Sequence, residues 1–317
     1  MDASAISPRI SIIIPTFKRG QLLLKTLRYL LQQDYPDYEI LVVDQTPEHL
    51  PVIEEKLQQL INEGAIRYFS RRESNASAAR NRGLAEATGE ILLFLDDDVV
   101  TKNRHFLYEH ARNYSDPQVS GVAGQILNVN RDVRHNRHSW SHRPNVGWLY
   151  FPLNYTRRAW IDSGRSCNLS VRRAVAIEVR GMDENFEKGA HREEADFCIR
   201  CVKRGYRFLF APAASLIHLA EPAGGIRSWR MNCGVHPLHH VTGEMYFIFK
   251  NVEFHYYPDY LACAIRRQIL NPSNIRRPWK IAQAAGQMLR GSWRALRQLR
   301  RGPRYLDEFL CQVVPVK

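Results

Sequence analysis

Residues 10–44 read ISIIIPTFKRGQLLLKTLRYLLQQDYPDYEILVVD. The opening run from Ile10 to Pro15 is β-branched and closed by proline, which predicts a buried strand. Leu22, Leu23, Thr26, Leu27, Leu30 and Leu31 then recur at helical spacing between Gly20 and Gln33, and Asp34-Tyr35-Pro36-Asp37 stops that helix. Glu39 to Asp44 is a second buried strand that ends on an acid.

The alternation continues outward. Pro51 to Asn62 reads as a helix, Ala65 to Ser70 as a strand, and Ser74 to Thr88 as an alanine-rich helix closed by Gly89. Glu90 to Leu95, EILLFL, is a strong strand followed at once by Asp96, Asp97 and Asp98. Strands alternating with helices imply an α/β fold, a mainly parallel sheet with helices on both faces, and such sheets bind ligands beyond the carboxyl ends of their strands. The polar residues gather there: Thr16 to Arg19, Asp44-Gln45 and Asp96 to Asp98. From Gln125 to Arg165 the pattern weakens and loops are expected. Val171 to Val179 and Glu193 to Gly205 read as helices, and Arg207 to Phe210 as a short strand before Pro212.

The 317 residues, 44% hydrophobic and 24% charged, describe an ordinary globular chain long enough for a large core. Of the net charge of +13, eleven basic residues lie between Ala264 and Tyr305, a stretch without Asp or Glu, which leaves +2 for the rest. On a helix from Trp279 to Arg301, Ile281, Ala285, Met288, Leu289, Trp293, Leu296 and Leu299 share one side, and Lys280, Arg290, Arg294, Arg297 and Arg301 the other. A basic amphipathic helix with tryptophan suits an anionic membrane surface. A helix packed on the body with a solvated basic face is the plainer reading. No nucleic-acid-binding module accompanies the charge, so nucleic acid is not the expected partner. Residues 1–250 are taken as the main domain and 251–317 as a basic helical extension.

Met1 to Arg9 has no basic start followed by an apolar run, and no stretch is apolar enough to span a bilayer. With six dispersed cysteines, a cytoplasmic chain with reduced thiols is expected. Cys198 and Cys201 have CxxC spacing without a second pair, inside a helical stretch. His236-Pro237-Leu238-His239-His240 lacks a zinc pattern with cysteine partners and reads as structural or acceptor-lining.

The three aspartates at a strand end fit a hard divalent cation, which binds one or two carboxylates together with substrate phosphates. His191-Arg192-Glu193-Glu194-Ala195-Asp196 opens a helix, where the dipole alone favours acids. A carboxylate there is also placed to take a proton from a hydroxyl. His218 follows an apolar strand-like run and reads as either a core residue or a ligand.

Taken with the motifs NASAARNRGLAEATGEILLFLDDDVV at 75–100 and SCNLSVRRAVAIEVRGMDENFEKGAHREEADFCIRCVKRGYRFLFAP at 166–212, the opening stretch resembles the family 2 glycosyltransferases of GT-A fold, over roughly residues 10 to 220. The resemblance implies an inverting transfer by single displacement from a nucleotide-diphosphate sugar, UDP or dTDP favoured, with Mn²⁺ or Mg²⁺. It implies that Pro15, Thr16, Phe17 and Arg19 flank the donor, with Asp44 or Gln45 near the base. Arg80 would reach the donor, Asp96 the ribose with Asp97 beside it, and Asp98, joined by His218, would hold the metal. Glu194, with Glu193 beside it, would be the catalytic base, and Gly164, Cys167 and Asn168 would line the sugar and acceptor pocket. Two departures stand out. Gln45-Thr46-Pro47 follows Asp44 where many members carry a second Asp and then Gly or Asn. Glu193-Glu194 replaces the usual Glu-Asp, which leaves open which acid acts. A glycan or lipid-linked acceptor at the membrane face is the expected setting, in polysaccharide or cell-envelope synthesis. The alternative is a non-catalytic module of the same fold that binds nucleotide or glycan, or scaffolds a membrane complex.

Overall fold

The computed structural model describes residues 7–128, 153–189, 191–221, 223–226 and 234–306. Its elements in chain order are β1 (Ile10–Thr16), α1 (Gly20–Leu30), β2 (Tyr38–Asp44), α2 (Pro51–Asn62), β3 (Arg67–Ser70), α3 (Ala76–Glu86), β4 (Ile91–Leu95), β5 (Val99–Val100), α4 (Phe106–Ala111) and β6 (Val119–Asn128). There follow β7 (Ala159–Ile161), β8 (Asn168–Arg172), α5 (Arg173–Glu178), α6 (Glu193–Val202), β9 (Arg207–His218), α7 (Leu238–Asn251), α8 (Tyr257–Gln268), α9 (Pro272–Ile275) and α10 (Trp279–Arg301).

The strands form one sheet in the order β3-β2-β1-β4-β8-β6-β9-β5, with β7 paired to β9. The first four long strands are parallel as expected. Beyond β4 the sheet is mixed, because β8 inserts antiparallel between β4 and β6, and β5 and β7 run antiparallel to β9. Alternate residues of the central strands serve opposite faces. Ile12, Ile14, Leu93 and Leu95 enter one core with α1, α2 and α4, and Ile13, Leu92 and Phe94 enter a second with α3, α5 and α6.

Three expectations need correction. Residues 168–172 form β8, and the helix expected from Val171 begins only at Arg173. The segment expected to be loop between Gln125 and Arg165 contains the end of β6 and all of β7; residues 129–152 lie outside those described. The strand expected to stop at Phe210 continues to His218. Pro212 is tolerated because the pairing of β9 with β6 breaks between Ala211 and Leu216, so its missing N–H costs no ladder bond.

A third core joins Phe186, Ala195 and Ile199 to α7, α8 and α10. The long α10 docks on α7, but through the small face Ala284, Gly291 and Ala295 with Gln298. A Cβ on Gly291 would lie 2.7 Å from Val241 Cγ1, so glycine sets this close approach. Part of the apolar stripe seen in the sequence consequently points outward: Leu289 is 74% and Trp293 59% exposed, with Leu296 and Leu299 beside them, while Met288 packs on the third core. Among the described residues no helix is long and apolar enough to cross a membrane.

Candidate active site

The acids at the end of β4 are held by sheet register. After Asp98 the chain turns into β5, whose Val99 pairs with His218 at the end of β9. That pairing brings His218 Nε2 to 3.2 Å from Asp98 Oδ1, and the Leu219 N–H donates to the Asp98 carbonyl at 2.9 Å. Asp96, Asp98 and His218 each offer a ligand atom, all within 4.8 Å of one another. Asp98 Oδ1 is buried without a well-directed hydrogen bond. Two carboxylates and an imidazole that converge in this way fit a divalent cation. Burial alone would raise the Asp98 carboxyl, but His218 and the charge of Arg19 outweigh it and hold it below the usual carboxylate range.

Asp97 points elsewhere. It accepts a hydrogen bond from Thr16 Oγ1 at 2.7 Å and pairs with Arg19 Nη1 at 3.2 Å. Burial pushes its carboxyl up to about 7, with Asp98 and Asp96 adding to the rise against the pull of Thr16 and Arg19. Arg19 is the counter-charge of the cluster. Its Nη1 also lies 3.1 Å from Asp98 Oδ2, while Nη2 and Nε donate to the carbonyls of Glu221 and Ala223. The guanidinium thus straps the chain after β9 across the strand ends. Gly225, at a φ of 73° in the left-handed region, completes the strap by donating its N–H to the Phe17 carbonyl. Phe17 is half-buried and Pro15 buried at this edge. A cavity of about 360 Å³ lined by Lys18, Arg19, Thr46, His49 and Glu221 opens beside it.

The second acidic pair starts α6. Arg192, in the left-handed region with φ 83°, turns the chain so that Glu193 and Glu194 occupy the first helical turn, both buried. Arg80 of α3 links the two acidic clusters, with Nη2 3.1 Å from Asp96 Oδ1 and Nη1 3.7 Å from Glu193 Oε1. Glu194 is held separately, its Oε1 2.6 Å from Arg165 Nη1. Cys167, just before β8, lies within reach of the charges of both clusters. Burial raises its thiol well above the usual range, and Asp96, Glu194 and Asp98 push the same way.

Other residues expected at the site are placed differently. Asp44 is already engaged by the Thr46 N–H at 2.7 Å and by His49 Nε2 at 2.7 Å. Gln45 Oε1 accepts from the Asn75 N–H, and its Nε2 is buried without a hydrogen-bond partner among the described residues. Asn168 faces the core, where its amide donates to the carbonyls of Gln125 and Ala214 and its Oδ1 meets His110 Nε2 at 2.9 Å. Gly164 packs on Leu169 and Ala123. Cys198 and Cys201 are buried in the second core, and burial raises both thiols. His49 was not anticipated, nor was the contact of Arg165 with Glu194, although Gly164 to Asn168 was expected to line the pocket and Glu194 to be the base.

Residues 11–180 match the family model described as Glycosyl transferase family 2. The chain is a member of that family. It is 27% identical over 226 residues to the O-antigen biosynthesis protein RfbC of Myxococcus xanthus, a match covering 67% of this chain and 17% of that protein. It is 35% identical over 94 residues to a Campylobacter jejuni GalNAc(5)-diNAcBac-PP-undecaprenol beta-1,3-glucosyltransferase, covering 29% and 30% of the two chains. The chain therefore spans less than a third of either curated relative. The mannosyltransferase PcManGT of Pyrobaculum calidifontis, solved with GDP-Man and Mn²⁺, superposes with a TM-score of 0.57 at 19% identity, covering 94% of this chain and 80% of that one. The shared architecture is the GT-A fold, here carrying a C-terminal helical extension. As a family 2 member, the chain has Asp96, Asp98 and His218 placed to hold a metal ion.

Proposed function

We propose that the protein is a metal-dependent inverting glycosyltransferase that moves a sugar from a nucleotide-diphosphate donor to an acceptor hydroxyl. The observation that carries this reading is the single guanidinium of Arg80 joining the Asp96–Asp98–His218 group to the Glu193–Glu194 pair. One cluster suits a departing diphosphate and the other an incoming hydroxyl.

Asp98 and His218, with Asp96, would hold Mn²⁺ or Mg²⁺, which when bound neutralises charge growing on the leaving diphosphate. Arg80 serves the donor side and tethers Glu193. Glu194 takes the proton of the acceptor hydroxyl as its oxygen bonds to the anomeric carbon and the bond to the diphosphate breaks. Arg165 orients Glu194 for that role, and Cys167 lines the sugar and acceptor pocket. The base would enter beside Asp44, where Lys18, Thr46 and His49 line the open cavity, and a UDP- or dTDP-sugar is the donor we favour.

The setting we infer is the cytoplasmic face of a membrane, in glycan synthesis. The exposed Leu289, Trp293, Leu296 and Leu299, flanked by Arg290, Arg297 and Arg300, support reversible attachment to an anionic surface through residues 251–317, while residues 1–250 carry the chemistry. The Campylobacter relative, named for a PP-undecaprenol substrate, supports a lipid-linked acceptor.

The test is thermal stabilisation by a panel of nucleoside diphosphates with and without Mn²⁺. A metal-dependent shift with one nucleotide is expected, since a ligand bound only by the native state raises its apparent stability. Asp98→Ala should abolish that shift, whereas Glu194→Gln should keep it and stop transfer. No shift with any nucleotide would replace the enzyme reading with a non-catalytic module of the same fold.

A further inference from the structure

The transfer chemistry gives no role to Arg19, whose guanidinium sits on two of the three acids after β4. Arg19 stands at the N-cap of α1, a position at which the helix dipole favours acids, and its side chain makes no cap bond there. Lys18 before it lies in the left-handed region, φ 54°, and donates its N–H to Thr46 Oγ1 at 2.8 Å. This strained turn sends Arg19 back across the strand ends. There Nη1 bridges Asp97 Oδ1 at 3.2 Å and Asp98 Oδ2 at 3.1 Å, while Nη2 and Nε are committed to the carbonyls of Glu221 and Ala223. Side-chain exposure is 15% for Arg19, 6% for Asp97 and 2% for Asp98, so these charges are weakly screened by solvent.

Each acid of the group thus already has a partner: Arg19 on Asp97 and Asp98, Arg80 on Asp96, and His218 on Asp98. A divalent ion that came alone would share the Asp98 carboxylate with a guanidinium. Two cations on one carboxylate lie about 5 Å apart, and even with the screening of water their repulsion weakens a divalent ion about tenfold. Arg19 cannot shed this charge by losing a proton, because a guanidinium stays ionised in proteins. A diphosphate reverses the balance, since its own negative charge attracts the ion and the guanidinium alike. Arg19 borders the cavity beside the site, on the side from which such a group has access.

We propose that Arg19 is a resident cation that sets the strength of the metal site. It holds Asp97 and Asp98 together before the donor arrives and leaves them little grip on a bare divalent ion. A nucleoside diphosphate restores that grip, so that ion and donor are held together or not at all. The proposal rests on the glycosyltransferase reading for the metal and its diphosphate, but the effect of Arg19 on the bare ion can be tested apart from it.

The experiment titrates the full chain with Mn²⁺ and follows the free ion by EPR, with no nucleotide present, in the wild type, Arg19→Gln and Arg19→Lys. Arg19→Gln removes the charge and keeps an amide that can donate to the strap; Arg19→Lys keeps the charge. Arg19→Gln should bind bare Mn²⁺ about tenfold tighter than the wild type, and Arg19→Lys within about twofold of it. Adding Asp98→Ala to Arg19→Gln should abolish the gain. A residue that only straps the chain gives the opposite sign, because loosening the strap loosens the ligands. Binding by Arg19→Gln that is equal to or weaker than wild type therefore overturns the proposal. So does an equal gain in Arg19→Lys, or a gain that survives Asp98→Ala. If Arg19→Gln does not fold in EDTA, refolding with Mn²⁺ carries the test: recovery is expected, and none overturns the replacement of one cation by the other. Repeating the titrations with UDP, dTDP, GDP and ADP separates the two readings. A tenfold gain in Arg19→Gln while no nucleotide binds any of the proteins sinks the transferase reading and leaves the role of Arg19 standing. Nucleotide-dependent Mn²⁺ binding by the wild type, without that gain, does the reverse.

Discussion

His110 offers a pH test of the packing that holds the site. Its side chain is fully buried on α4, its Nε2–H donates to Asn168 Oδ1 at 2.9 Å, and Nδ1 accepts from Ser170 Oγ at 2.9 Å. Both partners lie on β8, the strand that follows Cys167. Burial pulls the imidazole from 6.5 down to about 4, against the opposing hydrogen bond to Asn168. Between those values the unfolded chain binds a proton that the native chain refuses, so stability is complete above 6.5 and is lost as pH falls towards 4. The whole gap corresponds to about 3 kcal/mol, of which about 2 kcal/mol is lost between about pH 7.5 and about pH 5. His110→Gln removes the titration and keeps an amide able to bond Asn168 and Ser170. Urea unfolding of both proteins at the two pH values isolates the contribution, because all other groups cancel in the difference. The wild type should lose about 2 kcal/mol more than the variant over this interval. Equal losses would refute a neutral, buried His110.

The linking role of Arg80 predicts that Arg80→Ala costs about 3–5 kcal/mol by leaving Glu193 in a buried site without its guanidinium, and that adding Glu193→Gln restores much of this in chemical denaturation. Gly124→Ala should be among the most damaging small substitutions, since a Cβ there would lie 2.1 Å from the Ala214 carbonyl and 2.2 Å from Asn168 Nδ2; a melting curve close to wild type would contradict that packing. Replacing Arg290 and Arg297 together by alanine should weaken sedimentation with anionic vesicles by about 30-fold, from about 1 kcal/mol per basic residue, and leave nucleotide binding unchanged. Trp293→Glu should act the same way with little loss of thermal stability, as Trp293 is 59% exposed.

The amino-terminal half was legible because each strand there is a continuous apolar run with a helix on either side, so periodicity and turn residues agree. Residues 168–172 were not, because the strand Asn-Leu-Ser-Val-Arg runs straight into a helix and the helical spacing of Val175, Ala176 and Val179 absorbs it. Pro212 misled in the other direction, as a stop signal within a strand that bulges past it. Asp96, Asp98 and Glu194 stood out by residue type and position. The contacts of Arg165 and Arg19 depend on groups meeting across 29 to 204 positions in the chain, which no local pattern encodes. For α10 the sequence left two readings open, a stripe facing a membrane or one packed on the body, and the small residues Ala284, Gly291 and Ala295 decide it by taking the body-facing side.

The place of β8 in the sheet bears on how this chain is made. As synthesis proceeds, β1 to β4 can pair as soon as they emerge, but β4 and β6 must wait for residues 168–172 before the strand between them exists. Until then each keeps an open, apolar edge, the kind of surface on which nascent chains stick to one another. Chains truncated before residue 172 should therefore aggregate, and slow translation across residues 129–167 should lengthen dependence on chaperones.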